Sequence, residues 1–277
     1  MTFSLIFSDA NRGIVGGGVH SHYPFVGATV LRARAGVGVA VSQAVGEAAL
    51  AEGLLGHLGD GAAPHEALAG VLRSCTYPDT RQLAVVASTG EMAVHTGRQC
   101  TPFSGEFRAP GIVAVGNLLS ELAVLTSMMV AFNTAIAASH AERLVRCLVA
   151  AELAGGDLRG RQSAALVVRH DSAPWRDCDV RVDDHADPLR ELARLVELRR
   201  QYALLDDPAI RAGGPALDEA VLLVRDEGWP EEVRFWLGVR LAELGRPAAR
   251  DLLGPLLARN PWRMLWLRLR SQGQPPN

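Results

Sequence analysis

The second residue of the chain is a threonine, and so small a side chain favours removal of the methionine before it. Met1-Thr2 therefore predicts a mature chain that begins at Thr2. A hydroxyl nucleophile then stands beside a free α-amine. Such an amine titrates at about 7.7 to 8.0, low enough for part of it to be unprotonated near neutral pH and to take the hydroxyl proton as attack begins. Threonine with its own amine is one variant of the nucleophile and base pair, and it needs no separate histidine. A small second residue is also common for reasons of translation alone. What lifts Thr2 above that background is a strand pattern that begins at it, since a strand fixes a nucleophile better than a frayed terminus does.

Other polar groups are spaced for chemistry. His20 and His22 are two residues apart and share one face of a strand, where they would ligate a metal or polarise a carbonyl, or simply be hydrogen-bonded imidazoles. A full metal set needs a third ligand. Asp183, Asp184 and His185 lie between a strand and a capped helix. There Asp184 would orient an amine or an imidazole, His185 would join it at a site, or both would serve the turn, while Asp187 reads as a helix cap. Arg161 suits bidentate capture of a carboxylate or a salt bridge within its loop, and Gln162 suits donation to an oxyanion. Asn117, just after Gly116 at a strand end, is a second oxyanion donor. Ser42, Gln43 and His95 read as core or cleft-lining groups, and Cys100 as structural.

Composition narrows the chemistry. All 28 basic residues are arginines, which removes Schiff-base and phosphate-loop lysine mechanisms. They face 30 acidic residues for a net charge of -2, with no run of like charge, so nucleic acid is not an expected partner. The four cysteines, Cys75, Cys100, Cys147 and Cys178, show no CxxC pair or zinc spacing and read as reduced thiols. No stretch approaches the roughly twenty apolar residues of a membrane helix and no signal segment is evident, so a cytoplasmic protein without a membrane partner is expected.

The elements that must position these groups follow from periodicity. Residues 2–8 alternate with Phe3, Leu5 and Phe7 on one face, and DANRG turns them into a second strand over 14–22. Strands are predicted at 36–42, 82–87, 92–96, 112–116, 163–168 and 179–182, with helices over 45–58 and 64–73. Leu122, Leu125, Met129, Phe132 and Ile136 trace one buried helix stripe. Ser139 and Glu142 form a capping box for the next helix, which Gly155-Gly156 ends. A helix starting at Asp187-Pro188 carries Leu189, Leu192, Leu195 and Tyr202. The fold class is α+β, since hairpins argue against an all-parallel sheet and two sheets covered by helix layers account for the order.

A break at LDDPAIRAGGP (residues 205–215) divides a domain at 1–204 from a linker and small helical tail at 205–277. Tail helices are predicted at 217–225, 230–244 and 247–258, stopped by Asn260-Pro261. Leu237-Gly238, Leu241 and Leu244-Gly245 resemble one weak tetratricopeptide unit. Trp229, Trp236, Trp262 and Trp266 suit docking onto the main domain or a second subunit and equally suit ligand binding, so a homodimer or larger homo-oligomer is among the expected partners.

Several stretches together resemble the DUF1028 family, which is placed among N-terminal nucleophile (Ntn) hydrolase folds. They are MTFSLIFSD at the start, VHSHYPFVGATV from Val19, RARAGVGVAVSQA from Arg32, RQLAVVASTGEMAVHTGRQC from Arg81, VGNLL from Val115, GGDLRGRQSAALVV from Gly155 and VRVDDHADPLRELARLVE from Val180. They span roughly residues 1 to 200, and the tail lies outside them. The resemblance implies a four-layer αββα sandwich with the mature N-terminus at a sheet edge near an amide-cleaving centre. It supplies no substrate. Where the family has tryptophan or phenylalanine after its SH, this chain has Tyr23-Pro24, and the proline restricts Tyr23.

The expectation is an amidohydrolase for a small amide or acyl compound, using no cofactor and no metal. Catalysis falls to Thr2, Asn117, Gln162 and Asp184, and substrate binding to His20, His22, Arg161 and His185, with Arg161 favouring acidic substrates. The alternatives are a metal-dependent hydrolase using His20, His22, Asp184 and His185, and a non-enzymatic ligand-binding or assembly scaffold.

Overall fold

A computed structural model describes residues 2–100, 103–225 and 228–271. They divide into two compact units, Met1–Val196 and Glu197–Asn277. In the first, β1 (Thr2–Asp9) and β2 (Ile14–Ser21) form a hairpin, and one helical turn, α1 (Val26–Thr29), leads to β3 (Leu31–Arg34) and β4 (Gly38–Ala44). Helices α2 (Ala48–Gly59) and α3 (Pro64–Ser74) precede β5 (Arg81–Ala87), β6 (Met92–Thr96), β7 (Gly105–Ala109) and β8 (Ile112–Asn117). Then come α4 (Ala123–Thr134), α5 (His140–Leu153), β9 (Ser163–His170), β10 (Cys178–Val182) and α6 (Pro188–Asp206).

The strands make two antiparallel sheets, ordered β10-β9-β2-β1-β8-β7 and β3-β4-β5-β6. Strand alternation sorts the apolar side chains into separate cores. Phe3, Leu5 and Phe7 turn one way, into a cluster with α4, α5 and the start of α6. Ile6 turns the other way and meets Val39, Val41, Ala84 and Val86 of the second sheet. Ala40, Leu83 and Val85 pack beneath α2 and α3. Glycine is required at Gly16, where a Cβ would lie 2.5 Å from the Val167 carbonyl oxygen of β9.

The Ser139 and Glu142 capping box forms as expected, with Glu142 N donating to Ser139 Oγ at 3.3 Å and Ser139 N donating to Glu142 Oε2 at 2.9 Å. The predicted stripe on α4 is shorter than its spacing implies. Leu125, Met129 and Phe132 are buried, but Leu122 and Ile136 are exposed because the helix runs only from Ala123 to Thr134. Val124 and Met128 fill the core in their place.

The second unit continues from the end of α6 through α7 (Pro208–Ala212), α8 (Pro215–Leu223), α9 (Glu231–Glu243), α10 (Ala249–Leu257) and α11 (Asn260–Ser271). The stretch 205–215 thus holds a helix of its own, capped by Asp207 on the Ala209 amide at 2.8 Å. Asn260-Pro261 opens a further helix, because proline in a first turn has no amide partner to lose. At Gly238 a Cβ would come within 2.7 Å of Leu253, so glycine lets α9 and α10 close together. Trp229, Trp236, Trp262 and Trp266 are half-buried against the core of their own unit. Among the described residues no helix is long and apolar enough to cross a membrane.

Candidate functional site

Thr2 opens β1, with Ser21 of β2 directly opposite on one side and Asn117 of β8 on the other. Directly opposed residues project to the same face, so the three side chains form a polar row facing the second sheet. Thr2 is 7% exposed, and its Oγ1 lies 3.1 Å from Ser21 Oγ. One step further in, Ser4 Oγ donates to Gln43 Oε1 at 2.7 Å. Gln43 Nε2 donates to the Thr2 carbonyl at 3.2 Å and to Gln82 Oε1 at 2.8 Å. Gln82 Oε1 also accepts from Asn117 Nδ2 at 3.1 Å. On its other side Gln82 Nε2 meets Thr96 Oγ1 and the carbonyls of Gly105 and Gly116 at 3.0–3.1 Å. This network spans both sheets through hydroxyl, carboxamide and carbonyl groups, and what it gives Thr2 is position.

Backbone strain gathers at the same end of the strands. The non-glycine residues with left-handed φ among those described are Phe25 (61°), Ala44 (69°), Phe103 (57°) and Leu118 (54°). Ala44 follows Gln43, Leu118 follows Asn117, Phe25 lies in the loop leaving Ser21, and Phe103 precedes β7. Such conformations cost about 1–2 kcal/mol each and persist where the surroundings impose them.

His20 faces the other way. It opposes Phe3 in register, is fully buried on the helix-facing side, and stacks on the Phe3 ring with centroids 5.0 Å apart. Neither ring nitrogen has a hydrogen bond, and Glu152 Oε2, also unbonded, is 3.9 Å from Nδ1. Burial drives the His20 pKa down to about 4, with Asp157 opposing the shift and Arg161 and His22 adding to it. Burial raises the Glu152 carboxyl, against the pull of Arg161.

The remaining candidates meet in a cluster of loops. The His22 amide donates to Asp157 Oδ2 at 2.8 Å, and its Nδ1 is 3.4 Å from the Arg161 carbonyl. Arg161 lies 3.5 Å from Glu152 and 3.6 Å from Asp187. Gln162 Nε2 donates to Asp184 Oδ1 at 3.2 Å, and the His185 amide donates to the Gln162 carbonyl at 2.9 Å. His185 Nδ1 accepts from the Asp187 amide at 2.9 Å, while Asp187 Oδ1 accepts from the Arg190 amide at 3.4 Å, as a cap does. This cluster is tied to Thr2 through the Ser21 carbonyl, which accepts from the Gln162 amide at 3.2 Å. Of the proposed site residues, the register brings Asn117 beside Thr2. Gln162, Asp184, Arg161, His22 and His185 are brought to one another, and none of them bonds the Thr2 hydroxyl.

Among the described residues no group of three or more histidine, cysteine, aspartate and glutamate side chains is arranged to hold a metal ion. His95 Nε2 lies 2.9 Å from the Pro78 carbonyl, and Ser42 Oγ accepts from the Glu47 amide at 3.1 Å. Burial raises the Cys100 thiol, the opposite of what a thiolate nucleophile needs. Sequence reasoning passes over Ser4, Ser21 and Gln82, and it gives Gln43 only a minor place. Their signal is parity: Gln43 shares a strand face with Val39 and Val41, and Gln82 with Ala84 and Val86, faces that are otherwise wholly apolar.

The sequence profile of DUF1028, described as a family of unknown function, matches residues 2–192. A crystal structure of a DUF1028 protein from Silicibacter pomeroyi is 32% identical and superimposes with a TM-score of 0.65, over 71% of this chain and 88% of that one. No functionally curated protein matches the chain.

Proposed function

The chain belongs to the DUF1028 family, whose function is unknown, and from its own geometry we propose an N-terminal-threonine amidohydrolase acting on a small amide or related acyl compound. One observation carries the reading: Thr2, at the head of an inner strand, holds its hydroxyl against Ser21 with the Asn117 carboxamide opposite. After loss of Met1, Thr2 Oγ1 attacks the carbonyl carbon while the α-amine of the same residue takes the hydroxyl proton. The Asn117 Nδ2 donor stabilises the oxyanion, Ser21 fixes the threonine rotamer, and Gln43 holds the Thr2 carbonyl. The protonated amine then gives its proton to the leaving nitrogen as the C–N bond breaks. Water, deprotonated by the same amine, releases the acyl group from the threonine ester.

The same reading takes the fold as the αββα sandwich of Ntn hydrolases. The distinct apolar clusters between the sheets and on the outer face of each support it. Intact-mass measurement tests the chemistry. Purified protein is expected to lack one methionine and to gain a single acyl group from a panel of electrophilic amide analogues, with Thr2→Ala gaining none. Active protein that retains Met1, or an equal adduct on Thr2→Ala, would end the proposal.

A further inference from the structure

Building on the threonine-nucleophile reading, we infer that the acyl group accepted at this end of the sheets is uncharged and apolar, bound by exposed side chains on the segments that leave the strands beside Thr2. From Ser21 the chain enters a loop exposing Tyr23 (56%) and Phe25 (54%). From Asn117 it enters a loop exposing Leu122 (47%), which packs beside Gly105, where a Cβ would lie 3.2 Å from it. Phe103 (56%) is fastened to this loop through its carbonyl, which accepts from the Leu119 amide at 3.3 Å. Across the interface, Gln43-Ala44 runs into exposed Val45.

The opposite end of the strands provides the control. There the strand-to-strand turns at 9–13, 35–37, 88–91, 110–111 and 171–177, all described, expose no large apolar side chain, and the turn between α4 and α5, which meets Asp9 through His140, exposes one, Ile136. Isolated exposed apolar residues need no explanation, but their gathering around one polar, strained centre does. Charge argues the same way. Arg81 is held by the Val45 carbonyl and by Glu47, Arg159 by Asp157, and Arg161 by Glu152 and Asp187. An acidic acyl group on one of these arginines would compete with the carboxylate or carbonyl already there, whereas an alkyl or aryl group covers exposed apolar surface.

The p-nitroanilides of acetate, hexanoate and succinate test the inference on the full-length protein. In each, the bond from Thr2 Oγ1 to the acyl carbon forms as the C–N bond breaks, and the proton passes through the α-amine to the nitroaniline nitrogen. Each fully buried methylene is worth about four-fold, so hexanoyl transfer is expected to exceed acetyl and succinyl transfer by at least about ten-fold. Tyr23→Ser with Leu122→Ser is expected to shrink the hexanoyl-to-acetyl ratio in folded protein. Equal rates, faster succinyl transfer, or an unmoved ratio in the variant overturns the apolar specificity and leaves the nucleophile standing. No Thr2 adduct from any probe overturns the nucleophile reading itself. A dimer that Leu122→Glu dissociates with no change in that ratio would make the apolar ring a subunit interface and likewise overturn the inference.

Discussion

Thr2 and His20 stand within one residue of each other in the register of a single sheet, yet the two faces they occupy treat buried polar groups in opposite ways. On the inter-sheet face Gln43, Gln82 and Asn117 exchange hydrogen bonds across both sheets. On the helix-facing side His20 and Glu152 leave three buried atoms unbonded. A bonded interior network holds geometry, because removing one member strands the others. An unbonded pair is a standing cost, and its removal relieves the fold.

The largest effect that would break this comparison is at Gln82. Gln82→Leu strands the Gln43 and Asn117 amides and the carbonyls of Gly105 and Gly116, so urea unfolding should show a loss of about 4 kcal/mol. A loss below about 1 kcal/mol would mean that the network holds nothing in place.

Next in size, taken group by group, is the acid limb of stability. The folded-state pKa of His20, about 4, lies below its ordinary 6.5, so between those values the unfolded chain binds the extra proton. Stability from this group is complete above pH 6.5 and is lost as pH falls toward 4, by about 3 kcal/mol. The raised Glu152 carboxyl works the other way and offsets part of that loss. His140, stacked on Phe7 and also pushed down to about 4 by burial, adds a second acid-sensitive step. Chemical denaturation from pH 7 to pH 4 measures the sum, and a flat profile would contradict the buried, neutral state of both rings.

The smallest effect separates the two histidines. His20→Phe keeps a ring on Phe3 and removes two unbonded nitrogens, so a gain of about 1 kcal/mol at pH 7 and a shallower acid limb are expected. His140 Nε2 lies 3.4 Å from Asp9, and His140→Phe should give no such gain at pH 7. Equal gains would erase the contrast.

How much of this is legible in the sequence differs by element. Alternation marks β1, where Phe3, Leu5 and Phe7 share one parity, while apolar runs bounded by turn residues mark β2 and β5, and a capping box announces α5. β3, whose LRAR sequence carries two half-exposed or exposed arginines, and β7, with GEFRA, offer no such pattern. They are strands because their neighbours supply hydrogen-bonding edges. At the site, Thr2 and Asn117 can be named separately, but their direct opposition is a matter of register between strands over a hundred residues apart, which no local spacing specifies. Likewise, spacing puts His20 and His22 on one face of an extended chain without saying which. Only Phe3, opposite His20 and buried under the helices, settles that for His20. Gln82 escapes notice because a polar residue in a strand reads as surface until a second sheet is known to cover it.

The threonine at the head of β1 has one more consequence in a chain whose basic residues are all arginine. An amine-selective acylating label, such as an activated ester dye, meets no side-chain amine anywhere in this sequence. Where Thr2 carries the α-amine, the rate of labelling therefore reports how reachable the head of β1 is, free of competition from lysine.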